Sequence, residues 1–332
     1  MRFPRRAGRL RRSDLVEVRS AAEILATLDR DGALEALPFM PEMVNHVGRR
    51  FRVSRRVEKL CDTAGGGFRS RRMRRTVLLD DIRCDGAGHD GCGAGCRLYW
   101  KEAWLRRVAD GSEQSPPDTS DLKELEALAT AGTKTTRRLE GEEVETYRCQ
   151  ATEAPAASEP LRGFDVRQYV REVECGNVGP LHALRVLGTA IVGRILRGRR
   201  PRGLPLGASM ISTTPPRALG LQPGELVQIR SREEIAASLD ARGKNRGLWF
   251  DAEMTPYCGG TYEVRSRVER FIDDRTGRMV ELSSDCLILD GVTCSGERSS
   301  WRWFCPRAIY PWWREAWLSR VDDPDVVVPP SK

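Results

Sequence analysis

Histidine is nearly absent from this chain of 332 residues: only His46, His89 and His182 are available for imidazole chemistry. Lysine is scarce too, since six of the 55 basic residues are Lys and the rest are Arg. No apolar run approaches the roughly 20 residues of a membrane-spanning helix, which excludes an integral helical membrane protein. No phosphate-binding loop, dinucleotide fingerprint, HExxH or nucleophile elbow is present, so the usual nucleotide and hydrolase chemistries have no motif here. Despite ten cysteines there is no CxxC pair, so paired zinc knuckles are missing as well. A nucleophilic role for Cys149 or Cys175 lacks an evident base, because three histidines must serve the whole chain.

What is present describes a globular protein. Hydrophobic residues make up 40% and charged residues 31%, enough to build cores and too much apolar material for a wholly disordered chain. The length suits two or three domains. The net charge of +8 invites nucleic-acid binding through Arg-rich loops such as Arg69–Arg75. An Arg-over-Lys bias of this size also arises from base composition alone, so nucleic acid ranks behind protein as the expected partner. The basic start, MRFPRRAGRLRRSD, is not followed by an apolar run of signal-peptide length, which sets a cytoplasmic expectation. In a reducing compartment the cysteines are thiols, metal ligands or core residues rather than disulfides.

An internal repeat organises the chain. Residues 15–58 align without gaps to 226–269, with 19 identities in 44 positions, where unrelated segments share roughly three. Matches include Arg19-Ser20, Glu23-Ile24, Gly32, Phe39, Glu42-Met43 and Arg56-Val57-Glu58, each found again 211 residues later. Farther on, Glu102-Ala103-Trp104-Leu105 answers Glu315-Ala316-Trp317-Leu318. The segmentation read from this pattern is a basic tail (1–12), a first repeat (13–109), an acidic and polar linker (110–145), a central helical segment (146–200), a Pro/Gly-rich linker (201–221), a second repeat (222–322) and a C-terminal tail (323–332). Within each repeat a strand is followed by a capping box, Ser20 with Glu23 or Ser231 with Glu234, then a short helix ending near Gly32 or Gly243 and several strands. The expected fold is mainly β (α+β): two tandem small Src-homology-3-like β-barrels, each with an inserted short helix, joined by a helical and linker segment.

In the central segment Leu184, Leu187, Ile191 and Ile195 share a narrow arc of a helix. Two readings compete: packing of that stripe against the barrels, which is favoured, or peripheral membrane contact through residues 181–200.

The cysteines carry the sharpest chemistry. Four lie in each repeat: Cys61, Cys84, Cys92 and Cys96, then Cys258, Cys286, Cys294 and Cys305. Four thiolates satisfy a tetrahedral structural zinc, and His89, inside CDGAGHDGCGAGC, is an alternative ligand. Zinc is the expected cofactor and an iron–sulfur cluster the alternative. Cys84 corresponds to Cys294, and Cys96 approximately to Cys305, whereas Val47 stands at the position of Cys258 and Ile272 at that of Cys61. The competing reading is that these thiols are small buried hydrophobes. Trp100, Trp104, Trp313 and Trp317 are either a partner-binding groove or core, and Glu42 with Glu253 are matched carboxylates open to acid/base work.

Taken together, VEVRSAAEILATLD, LPFMPEM, CDGAGHDGCGAGC, WKEAWLRR, YRCQATE and CPRAIYPWWREAWL resemble a bacterial family of duplicated, cysteine-containing proteins without an assigned activity. The resemblance spans both repeats and the central segment. It implies an accessory role beside polysaccharide or natural-product biosynthesis and supplies no catalytic residue. The function expected from the sequence is therefore a non-catalytic metal-binding accessory or interaction protein, with a metal-dependent enzyme as the alternative.

Overall fold

The computed structural model describes residues 9–64, 70–113, 120–162, 165–197, 219–298 and 302–321. The chain is mostly β with a few helices. In the first repeat, β1 (Leu15–Val18), α1 (Ala21–Leu25), β2 (Arg50–Arg56), β3 (Thr76–Arg83), β4 (Arg97–Lys101) and β5 (Leu105–Arg107) form an antiparallel sheet of order β4-β3-β2-β1-β5, with α1 following its first strand. Alternation explains β1, whose Val16 and Val18 turn to the core.

α1 begins as the capping box requires: Glu23 N–H donates to the Ser20 hydroxyl and Ser20 N–H to the Glu23 carboxylate. It ends at Leu25, earlier than Gly32, because the chain turns into a short hairpin, Ala33–Leu34 against Leu37–Pro38.

The central segment is more ordered than a polar linker. Helix α2 (Leu122–Ala131) buries Leu125 in the first core, and β6 (Lys134–Leu139) pairs with β7 (Glu142–Tyr147) as a hairpin. The edge strand β4 is sealed by Gln150, which accepts from Tyr99 N–H and donates to Tyr99 O. Two helices follow where one was expected, α3 (Arg167–Glu174) and α4 (Pro180–Arg197). Gly176, at φ +80°, and Pro180, at the start of α4, break them apart. The 201–221 linker lies almost wholly outside the described residues.

The second repeat places β8 (Leu226–Ile229), α5 (Arg232–Ala237), β9 (Thr261–Arg267), β10 (Leu287–Leu289) and β11 (Leu318–Arg320) in sheet order β10-β9-β8-β11. Its pairings echo the first repeat: Leu15 faces Arg52 and Leu226 faces Glu263, and both sheets shift register at the same place, Val53/Arg55 and Val264/Ser266. The fifth strand, equivalent to β4, is reduced to one bridge, Leu287 to Trp313, where Pro311 withholds a ladder donor.

The cores match in detail. Phe39 meets Trp104 edge-on at 5.1 Å and Phe250 meets Trp317 at 5.2 Å, while the indole N–H groups donate to Thr27 and Ser238 at 3.0 Å. Trp100, Trp104, Trp313 and Trp317 are all 0% exposed. They are core residues and form no partner-binding groove, because a small sheet needs their volume to close its interior.

Candidate metal centre

The CDGAGHDGCGAGC loop folds back on itself between β3 and β4. Cys84 N–H donates to Cys96 O at 2.8 Å and closes the loop, and His89 N–H donates to Gly86 O at 3.0 Å. Gly86 sits at φ +78°, and a side chain there would meet Cys92 O at 2.2 Å, so only glycine allows this crossing. Gly88 lies against Pro41 and the Glu42 carboxylate, leaving no slack for a Cβ. The loop therefore lays His89 over the 3-10 turn Pro41–His46 that carries Glu42.

The result is a compact group of three potential ligands. A Glu42 oxygen, Cys84 Sγ and a His89 nitrogen lie within 4.8 Å of one another, with Cys84 Sγ 3.9 Å from His89 Nδ1. Both Glu42 oxygens and His89 Nε2 are buried without a hydrogen-bond partner. Burial lowers the His89 pKa, which keeps the imidazole neutral and able to ligate. Burial, reinforced by the neighbouring Glu42 carboxylate, raises that of the Cys84 thiol. A carboxylate, a thiol and an imidazole buried against one another are costly, and a cation replacing the thiol proton would satisfy all three. The adjoining cavity measures about 40 Å³ and is also lined by Cys92, Cys96 and Cys149.

The second repeat contains the same carboxylate with a different outcome. Glu253 accepts from Ser295 N–H at 3.2 Å, the Ser295 hydroxyl at 2.7 Å and Arg298 N–H at 2.7 Å. Its loop is closed by Cys294 N–H to Ile309 O at 2.8 Å, as Cys84 closes on Cys96. A side chain on Gly296 would meet Cys305, as one on Gly86 would meet Cys92. Cys305 is thus the counterpart of Cys92, and Ile309 that of Cys96, because the longer second loop absorbs its extra residues before Cys305.

The remaining cysteines scatter differently from the four-per-repeat expectation. All ten are free thiols. Cys61 leaves its own repeat's loop and meets Cys305, whose Sγ accepts from Cys61 N–H at 3.2 Å. Cys294 lies near this pair, and burial pushes its thiol up to about 12. Cys286 packs in a small cluster with Val268 and Ile288 and accepts from Arg314 at 3.3 Å; Cys258 is half-buried against the second core. Among the described residues, Glu42, Cys84 and His89 form the one group of three ligand types close enough to share an ion. Glu42 was legible only as a carboxylate matched across repeats, since its neighbours come from a loop more than 40 positions away.

The junction between the repeats is charged and buried. Arg307 is 6% exposed and donates to Thr63 at 2.7 Å and Cys61 O at 3.3 Å. Lys59 is 0% exposed, lies 4.5 Å over the Tyr169 ring and has its amine pulled down to about 8 by burial. Glu172, bonded to Asn177 at 2.7 Å, is pushed up to about 8 by burial. No protein-family model, curated protein or solved structure matches this chain.

Proposed function

We propose that this chain is a non-catalytic metal-binding accessory or interaction protein whose first repeat is stapled by one zinc ion on Glu42, Cys84 and His89. The observation that carries the reading is the contrast between twin carboxylates: Glu253 is saturated by its loop, whereas Glu42 has both oxygens buried and bare beside a thiol and an imidazole. Zinc suits this mixed donor set, and an iron–sulfur cluster prefers four thiolates. Cys92, at the wall of the same cavity, is the candidate for the fourth position. We read each repeat as a small Src-homology-3-like barrel arising by duplication, and the protein as acting through a protein partner. An accessory role in polysaccharide or natural-product biosynthesis rests on family resemblance alone.

The test is metal content per chain on untagged protein purified without oxygen, with its visible spectrum. Zinc near one equivalent, lost in Cys84→Ser and His89→Gln and kept in Glu253→Gln, supports the reading. Iron with matching sulfide and a visible band transfers the site to the cluster-bearing enzyme alternative, which the cysteines around the same cavity favour. A folded protein with no metal overturns both.

A further inference from the structure

Two equivalent residues meet at the centre of the junction. Thr63 donates its hydroxyl to the Asp274 carboxylate, and these positions are 211 residues apart, so a local twofold axis relates the hairpins that carry them. Those hairpins pair Leu60–Cys61 with Ser70–Arg72 and Arg270–Ile272 with Met279–Glu281. Each reaches across to the loop of the other repeat: Gly93 N–H donates to Arg270 O at 2.9 Å, and Cys61 N–H donates to Cys305 Sγ at 3.2 Å. The two crossings differ in chemistry. On one side Ile272 shares a cavity wall with Cys92 and Ala94; on the other, the residues at the corresponding positions are Cys61, Cys305 and Arg307. The fold thus makes this crossing without a second sulfur, and the thiol pair with its arginine is an addition to one side alone.

The surroundings favour ionisation and shut out large reagents. Arg307 donates to Cys61 O and to Thr63. Lys59, two residues before Cys61, is fully buried with its amine lacking a hydrogen-bond partner, and its charge acts on Cys305. Cations beside a thiol favour the thiolate, the form that attacks an oxidant. Cys61 and Cys305 are only 6% and 5% exposed, which restricts that oxidant to a molecule of hydroperoxide size. We propose that Cys61 and Cys305 are a peroxide-sensitive thiol pair whose oxidation joins the two repeats by a disulfide. The Cys61 thiolate attacks one peroxide oxygen, breaks the O–O bond and becomes a sulfenic acid, releasing hydroxide. The Cys305 sulfur then displaces the sulfenic hydroxyl, which leaves with the Cys305 proton as water while the S–S bond forms. The released hydroxide takes up the proton that Cys61 shed. Two thiols thus give up two electrons and two protons, and the peroxide ends as two waters. Glu42, Cys84 and His89 take no part, so the step stands apart from the zinc reading.

The experiment treats the full chain with hydrogen peroxide, blocks the remaining thiols with N-ethylmaleimide in denaturant, and maps the tryptic peptides by mass. The expected product is a crosslink between peptides 60–69 and 303–307. Its mass is about 2 Da below the sum of the two thiol peptides, and dithiothreitol separates them. It should form at least about tenfold faster than the half-buried Cys258 is oxidised. Glutathione disulfide at the same concentration should leave both cysteines free. In Cys305→Ser, oxidation should still begin at Cys61 and appear as a gain of about 16 or 32 Da on peptide 60–69 in place of the crosslink. The map of the wild-type chain decides the matter even where a variant fails to fold. A Cys61 that reacts no faster than Cys258 overturns the proposal, as does a crosslink from Cys61 to Cys294 instead of Cys305. A crosslink made as readily by glutathione disulfide overturns the assignment of a small peroxide as the oxidant.

Discussion

Cys61 donates its backbone N–H to the sulfur of Cys305 at 3.2 Å, across 244 residues of sequence and between the two repeats. The two thiols divide their protons unequally. A hydrogen bond from Cys305 brings Cys61 down to about 6, against the cost of burial and with help from Arg307 and Arg302; Cys305 is raised correspondingly. Removing the donor in Cys305→Ala should return the Cys61 titration toward the ordinary thiol range. Thiolate absorbance followed against pH checks this: the wild type should show a near-neutral step that is missing in Cys61→Ala and shifted upward in Cys305→Ala.

Glu42 and Glu253 make a matched pair for mutagenesis. With metal chelated, Glu42→Gln should stabilise the protein by about 1–3 kcal/mol, since it removes an unsatisfied buried carboxylate. Glu253→Gln should destabilise it by a similar amount, because three donors lose a charged acceptor. Urea melts of both variants with and without zinc are the measurement, and zinc should reverse the sign for Glu42→Gln alone.

Metal affinity should rise with pH. Cys84 must surrender a proton that burial holds tightly, so zinc binding releases it and tightens by up to about tenfold per pH unit across neutrality. Competition against a chromophoric chelator at several pH values reads this slope directly; a flat profile would remove Cys84 from the ligand set.

Glu172 should give the fold an unusual pH dependence. Its folded pKa of about 8 lies above the ordinary 4.5, so the folded state binds the extra proton. The stabilising contribution is complete below pH 4.5 and is lost as pH rises through about 8. Glu172→Gln keeps an acceptor for Asn177 and carries no charge, so it should exceed wild-type stability by about 2 kcal/mol at the upper end of that window and equal it at the lower end.

Each repeat also holds an ion pair at equivalent positions, Arg56 with Glu102 and the partly exposed Arg267 with the buried Glu315. Glu315 additionally accepts from the N–H groups of Leu219, Gly220 and Leu221, tying down the entry to the second repeat. Glu315→Ala should cost about 3 kcal/mol or more in denaturant titrations, since it strands three backbone donors and Arg267, whereas Glu102→Ala should cost less because Arg56 keeps Glu58 as a partner.

Much of the fold was legible because it depends on short-range patterning. Alternation in Leu15–Val18, the capping boxes at Ser20 and Ser231, and the offset of 211 residues led to strands, helix starts and matching halves that the structure contains. The extents were less legible. Helix α1 stops at Leu25 because a hairpin competes for the following residues, and the supposed linker is a helix and hairpin because Leu125 found a core.

The sequence by itself determined the inventory: two copies of one strand-and-cap grammar, aromatic residues spaced to fill each core, and a glycine-rich loop bringing Cys84 and His89 within five residues. Tertiary structure alone decided which groups meet. Packing the loop on the Pro41–His46 turn set the Glu42 carboxylate against Cys84 and His89, and docking the repeats set Cys61 against Cys305 instead of its own neighbours. Local propensities depend on a few adjacent residues, whereas a binding site is made by loop closure across tens or hundreds of positions, where spacing carries no information about contact.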